Sequence, residues 1–377
     1  MVKKSIFAAV SATAAVLALA ACGAPPGEGG DGDTGGSGET TSAGVDHSDF
    51  VACMVSDEGG FDDASFNESG YEGLTRAESE LGVTIHSAES TSPSDYGPNV
   101  DSQVQAGCNL IIGIGFNLED AIQEAAEANP DIEFALVDSV FTDEDFNVVE
   151  IDNAKPLVFN TQEAAFLAGY LAGGMTETGT VATYGGMPLP SVTIFMDGFS
   201  DGVKKYNEAH DTDVKVLGWD KEAQNGSMTG DFSNVENGYT TTQQFINQGA
   251  DIILPVAGPV GSGSLKAAAE HDGVSVIWVD SDGYLQPSND ANKDLILTSV
   301  VKLIGNAVFD TIKASAEDDF SNAPYVGTLE NGGVGIAPYH AFEDKVPDDL
   351  KSEIDDLRSQ IISGDLVVES VSATPVG

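Results

Sequence analysis

Val-Ser-Asp-Glu-Gly-Gly-Phe-Asp-Asp-Ala-Ser-Phe-Asn-Glu-Ser-Gly-Tyr-Glu-Gly-Leu, residues 55–74, joins an apolar run to the start of a helix. The run 50–55 reads as a first strand, and it feeds an acidic, glycine-bearing loop. A helix then opens on Ser65-Phe66-Asn67-Glu68, where Ser65 and Glu68 have capping-box spacing. Tyr71, Leu74 and Leu81 supply an apolar stripe at helical spacing, and Gly82 stops it. The loop therefore lies at the carboxyl end of a strand, where open α/β sheets bind their ligands. There it presents Asp57, Phe66 and Asn67: a carboxylate, a flat ring and an amide suited to a polar aromatic molecule.

Outward from that loop the chain keeps alternating. Strand-like runs occur at 83–86, 109–115, 133–138, 180–185, 214–219, 251–257 and 275–280, with helical stretches at 118–128, 161–175, 192–209, 239–248 and 265–271. Alternation of this length predicts parallel sheets flanked by helices. Two such α/β units are expected, dividing at the polar, proline-bearing break 153–156; no repeat shows as residue identity. The stretch 282–293 reads as a loop, 295–301 as a strand, 302–315 as a helix and 348–363 as a final helix.

The ends and the composition set the compartment. Lys3 and Lys4 form a positive leader region, and the apolar segment 6–20 is too short to prefer spanning a membrane. Leu19-Ala20-Ala21-Cys22 reads as a lipobox, so 1–21 is expected to be a lipoprotein signal peptide and Cys22 the acylated residue. Residues 22–48 read as the lipid anchor and a Gly/Ser/Thr/Asp/Glu-rich tether with a reach of roughly 25–30 Å. A lipid, a tether and a folded body place the expected location at the extracytoplasmic face of a bacterial cell membrane, reached through the anchor only. The formal charge is −46, from 15 basic and 61 acidic residues. Nucleic acid is thereby excluded as a partner, since phosphate binding needs a basic footprint. Cys53 and Cys108 fall at the expected first strand and at the start of a neighbouring one; export permits a disulfide, and two buried thiols fit the sequence equally.

The thirteen residues from Val55 to Asn67 resemble the opening signature of the basic-membrane-protein family, the PnrA-like purine-nucleoside-binding lipoproteins of ABC importers. Further blocks fit in order: Phe134-Ala-Leu-Val-Asp138, Gly230-Asp-Phe-Ser-Asn-Val-Glu-Asn-Gly238, Pro255-Val-Ala-Gly-Pro-Val-Gly-Ser-Gly263, Val276-Ile-Trp-Val-Asp280 and Leu297-Thr-Ser-Val-Val-Lys302. The resemblance implies a type I periplasmic-binding-protein fold: two doubly wound α/β lobes, three hinge crossings and a ligand cleft between the lobes. On that pattern the N-terminal lobe holds 49–155 plus 300–322, and the C-terminal lobe 156–299 plus 323–377. It also implies ligand contacts from Asp57, Phe66, Asn67 and Asp138 in the first lobe, from Phe232, Gly258 and Asp280 in the second, and from Lys302 on a helix beside the hinge. The implied ligand is a nucleoside, with adenosine, guanosine and inosine the leading candidates, and the implied partners are an ABC permease and its ATPase. Three clustered aspartates against one lysine would repel phosphate, so nucleotides are expected to be excluded.

Competing readings are narrower. The segment 220–230 is longer than the resemblance leads one to expect, which makes Trp219 a rival aromatic for Phe232. Asp62 and Asp63 read as loop braces rather than ligand contacts. The five histidines, His47, His86, His210, His271 and His340, are scattered, and no nucleophile signature is present. No catalysis and no cofactor are therefore expected. Alternatives are a receptor of the same fold feeding a signalling partner, or a binder of another polar aromatic ligand or a sugar.

Overall fold

In the computed structural model, which describes residues 47–374, the first apolar run becomes β1 (Val51–Glu58) and the helix behind the loop is α1 (Phe66–Leu81). Gly82 ends α1 with φ 72°, a left-handed C-terminal stop. The alternation continues through β2 (Thr84–Ser90), α2 (Tyr96–Ala106), β3 (Leu110–Ile114), α3 (Glu119–Ala128) and β4 (Glu133–Val137). A small hairpin of β5 (Phe141–Thr142) and β6 (Val148–Val149) precedes β7 (Ala154–Phe159). Then come α4 (Thr161–Met175), β8 (Thr180–Gly185), α5 (Pro190–His210), β9 (Lys215–Leu217) and a second hairpin, β10 (Trp219–Asp220) with β11 (Asn225–Gly226). The chain goes on through α6 (Val235–Asn247), β12 (Ile252–Val256), α7 (Gly261–Ala268), β13 (Ser275–Asp280) and β14 (Ile296–Lys302). It ends with α8 (Ile304–Ala316), β15 (Tyr325–Gly327), β16 (Val334–Ile336) and α9 (Asp348–Ser363). The signal peptide, Cys22 and nearly all of the tether lie outside the described residues.

The strands sort into two six-stranded sheets. The first runs β15-β7-β4-β3-β1-β2, parallel throughout; the second runs β16-β14-β13-β12-β8-β9, parallel except for the antiparallel pair β14–β16. The two orders correspond strand for strand, so the molecule contains a repeat that residue identity hides. Central strands such as β3 and β12 are buried along their whole length, as parallel strands covered on both faces must be. α4 is apolar almost all round and buried on nearly every residue, which is why it lies inside its lobe against α5, α9 and β14. Two doubly wound lobes make this the type I periplasmic-binding fold. Among the described residues no helix is long and apolar enough to cross a membrane.

Strand membership moves the expected lobe boundaries. β7 belongs to the first sheet and β14 to the second, so 156–159 stay with the N-terminal lobe and 300–302 with the C-terminal one. The return segment extends similarly, because β15 joins the first sheet and β16 the second. The crossings therefore fall at 160, 303 and 328–333. The supposed break at 153–156 is the start of β7. Pro156 is tolerated there because the carbonyls of Asn153 and Leu157 face β4, which turns the proline nitrogen outward, and β15 pairs only from Leu157 onward. Hydrogen bonds tie the crossings together: Asn160 N–H to the Gly327 carbonyl at 2.8 Å and Leu303 N–H to the Gly333 carbonyl at 2.9 Å. Glu163 adds to this by accepting from Asn160 Nδ2 at 3.1 Å and from Leu329 N–H at 2.9 Å.

Two other local expectations change. α2 carries no clear helical signal in the sequence, because Gly97 and Pro98 in its first turn mask a helix that starts on Tyr96. Lys302 does not open a helix but is the last residue of β14. Cys53, on β1, and Cys108, just before β3, form a disulfide with Cα atoms 6.0 Å apart, which decides between the two readings of that pair.

Candidate functional site

The carboxyl ends of both sheets face one cavity, open to solvent and lined from both lobes. Asp57, Phe66, Asn67, Asp138, Phe232, Gly258, Asp280 and Lys302 all line it. The N-terminal lobe gives the first four and the C-terminal lobe the rest, with Lys302 at the second crossing. Trp219 does not line it; its indole is buried and donates to Asp197 instead. Phe232, with Phe195 of α5, thus supplies the aromatic face of the C-terminal wall.

The N-terminal wall is set by the start of α1. Here the capping-box expectation fails: Ser65 makes no side-chain cap bond. Asp63 does that work, one carboxylate accepting from the backbone N–H groups of Ser65 (2.9 Å), Asn67 (3.0 Å) and Glu68 (3.0 Å). With those donors satisfied, the Ser65 hydroxyl is free to cross the cleft and donate to Asp280 Oδ2 at 2.9 Å. Asn67 Nδ2 donates to Asp57 at 3.0 Å and to Asp63 at 3.3 Å. Its carbonyl Oδ1 is then buried with no hydrogen-bond partner among the described residues. Gly115, at φ 117°, makes room for the Asp57 carboxylate: a Cβ there would stand 2.1 Å from Oδ2. Burial pushes the Asp57 carboxyl up to about 8, helped by Asp63, Glu58 and Asp138 and opposed by the Asn67 hydrogen bond.

Lys302 occupies the floor where the lobes meet. Its ammonium contacts Asp138 at 2.5 Å and Asp280 at 3.2 Å, and all three side chains are nearly inaccessible to solvent. Burial works against the lysine's charge, but the two aspartates outweigh it and hold its pKa above the ordinary value. Burial raises Asp138 more than Lys302 lowers it. The Phe66, Phe195 and Phe159 rings surround the same ammonium, with centroids 4.7, 5.3 and 5.9 Å away, a cation–π setting.

Asp138 and Asp280 stand at the ends of corresponding strands, β4 and β13, and share a left-handed backbone with φ 64° and 66°. Such conformations are uncommon for residues other than glycine and persist where surroundings hold them. The two carboxylates thus reach Lys302 from equivalent places in the two lobes. On the C-terminal wall, Phe232 packs on Gly186, where a Cβ would fall 2.3 Å from the ring. Gly258 begins the turn into α7 with φ 52°.

Asp63, Ser191 and Phe195 also line the cavity and were not anticipated as doing so. Asp63 has a readable signal, two residues ahead of the N-cap position Ser65. Phe195 has none, since a phenylalanine inside an amphipathic helix reads as core. Asp62 faces solvent and lies off the cavity wall.

Comparison with known proteins identifies the family and the fold. A family model described as ABC transporter substrate-binding protein PnrA-like matches residues 50–371. The chain is 31% identical over 339 residues to the ABC transporter nucleoside-binding protein BmpA of Lactococcus lactis, covering 86% of this chain and 90% of that one. It is 30% identical over 336 residues to a CD4+ T-cell-stimulating antigen of Listeria monocytogenes, covering 85% and 88%. Among solved structures, an ABC transporter solute-binding protein from Aeropyrum pernix superposes with a TM-score of 0.75 at 24% identity, over 85% of this chain and 94% of that one. That likeness speaks for the fold.

Proposed function

Because the chain belongs to the PnrA-like family of ABC transporter substrate-binding proteins, we propose that it captures a nucleoside, a purine nucleoside first, between its lobes and hands it to a membrane permease. The observation that carries this reading is the make-up of the cavity wall: rings from both lobes, Phe66 and Phe116 from one and Phe195 and Phe232 from the other, above a floor of carboxylates with Lys302. A flat base held between the rings would join the lobes, and stacking of this kind contributes roughly 0.5–1.5 kcal/mol beyond area burial. The unpartnered Asn67 carbonyl offers an acceptor to a donor on the base edge. Leaving it buried and unpaired costs about 1–3 kcal/mol, which such a donor would recover. Asp57 has one oxygen engaged by Asn67 and a second toward the cavity wall, an arrangement suited to vicinal ribose hydroxyls. The description of the Lactococcus relative as nucleoside-binding supports the same ligand class.

The remaining steps follow from the two-lobe build. Ligand contacts from both walls favour the closed arrangement, a hinge motion at the three crossings, and the permease reads closure. A lipid on Cys22 and the tether after it would keep the body at the outer face of the membrane. Calorimetric titration of ligand-stripped protein with adenosine, guanosine, inosine and uridine tests the reading. Micromolar or tighter binding of a purine nucleoside is expected, weakened about tenfold or more by Phe66→Ala. Silence towards every nucleoside would remove the ligand class and leave the fold.

A further inference from the structure

The segment between Trp219 and Phe232 is tied to the body of the C-terminal lobe by side-chain hydrogen bonds. Asp197, in the middle of α5, has no solvent exposure. Its carboxylate gathers side-chain donors from two separate parts of the chain. Oδ1 accepts from Trp219 Nε1 at 2.9 Å and Gln224 Nε2 at 3.0 Å, both in the β10–β11 hairpin. Oδ2 accepts from Ser370 Oγ at 2.6 Å, in the tail that follows α9. One turn on, Asp201 receives Lys221 Nζ at 2.6 Å, and the same ammonium donates to the Glu369 carbonyl at 2.5 Å. One turn back, the Thr193 and Ser372 hydroxyls meet at 2.6 Å. Thr193, Asp197 and Asp201 are four residues apart, so they form one stripe along α5, and hairpin and tail are strapped to that stripe.

The outgoing arm of the hairpin leads to the ligand cleft. Residues 227–230 run beside the end of β8: Gly185 N–H donates to the Ser227 carbonyl at 3.0 Å, Thr229 N–H to Gly185 at 2.9 Å and Gly230 N–H to Gly186 at 2.8 Å. Two residues later Phe232 lies on Gly186. The N-terminal turns of the same α5 bring Ser191, Val192 and Phe195 to the cavity wall. One helix therefore carries part of the wall on one side and anchors the aromatic-bearing loop on another.

We propose that Asp197 is a positioning residue for ligand binding: with the C-terminal strap closed on it through Ser370, it fixes the placement of Phe232 over the cleft. This rests on the reading that Phe232 packs on the ligand. A buried carboxylate is expensive unless its oxygens find donors, and here three donors come from the two segments that must be held in register with the wall. A residue serving lobe stability alone would act on α5 and its core, not specifically on the 227–232 arm.

The test is a double-mutant cycle with a ligand-free measurement beside it. Ser370→Ala and Asp197→Asn are each combined with Phe232→Ala, and affinities for adenosine, guanosine and inosine are measured by calorimetry. Each strap variant alone is expected to weaken binding about three- to tenfold. In the Phe232→Ala background neither should weaken it further, because the ring they position is gone. Losses that multiply, or strap variants with unchanged affinity, would overturn the proposal. Amide hydrogen exchange without ligand should quicken at 227–232 in Ser370→Ala while β8 and β12 keep their protection. If the unaltered protein binds none of the three nucleosides, the functional reading fails separately. The exchange result still decides positioning: faster exchange at 227–232 upholds it and an unchanged rate refutes it.

Discussion

At Asp57 a single side chain links sequence, electrostatics and binding. Its carboxyl is pushed up to about 8 by burial and by Asp63, Glu58 and Asp138, so near neutral pH much of it carries a proton. Ribose hydroxyls donate best to the ionised form. A raised acid pKa in this arrangement of the lobes, before ligand arrives, therefore means that affinity rises as pH climbs toward about 8 and levels off above it, by at most tenfold per pH unit. Calorimetry from pH 6 to 9 should show this slope with proton release on binding, and Asp57→Asn should flatten it; an equal slope in that variant would assign it elsewhere. Asp57, Phe66 and Asn67 were legible in the sequence because they share one short motif at a strand end. The partner of Ser65 was not, because Asp280 lies 215 residues away and only the closed pair of lobes brings the two together. The local pattern Ser65–Glu68 pointed to a cap, and Asp63 took that role with better-placed oxygens.

At the scale of elements, β14 matters most, because its last residue is the one cation of the cavity wall among the described residues. Replacing Lys302 with methionine leaves Asp138 and Asp280 buried without their counter-charge. The expected loss is about 3–5 kcal/mol of stability, read from denaturant unfolding of the ligand-free protein; an unchanged midpoint would show that the pair is solvated. The disulfide ties β1 to the entry of β3 across a separation of 55 residues. Replacing both Cys53 and Cys108 with alanine should lower stability by about 2–5 kcal/mol under oxidising conditions, with no effect in reductant. Element type was readable wherever apolar periodicity was strong, as in α4 and β12. It failed at α2, where Gly97 and Pro98 occupy the first turn, and at β7, where Pro156 sits on an edge-facing position that propensity cannot distinguish from a break.

Over the whole molecule, two sheets of matching order face each other, and each supplies one aspartate, Asp138 or Asp280, to the lysine between them. The two-lobe α/β architecture was legible in strand–helix alternation, while the return crossings came only with the family resemblance. Their places depended on pairings among distant segments, 154–159 with 325–327 and 300–302 with 334–336. The same architecture concentrates acidic groups, since Asp57, Glu58, Asp63, Asp138 and Asp280 share a cavity with Lys302 as the one basic side chain among its described lining residues, within a chain of formal charge −46. On the proposed reading an uncharged nucleoside meets no charge conflict in such a site, whereas a phosphate carried by the same nucleoside meets like charge. The most direct measurement is a paired calorimetric titration of ligand-stripped protein with adenosine and with AMP at one ionic strength. Adenosine binding at micromolar affinity or tighter, with AMP weaker by at least about a hundredfold, is the predicted result. AMP binding as tightly as adenosine, or alone, would contradict it.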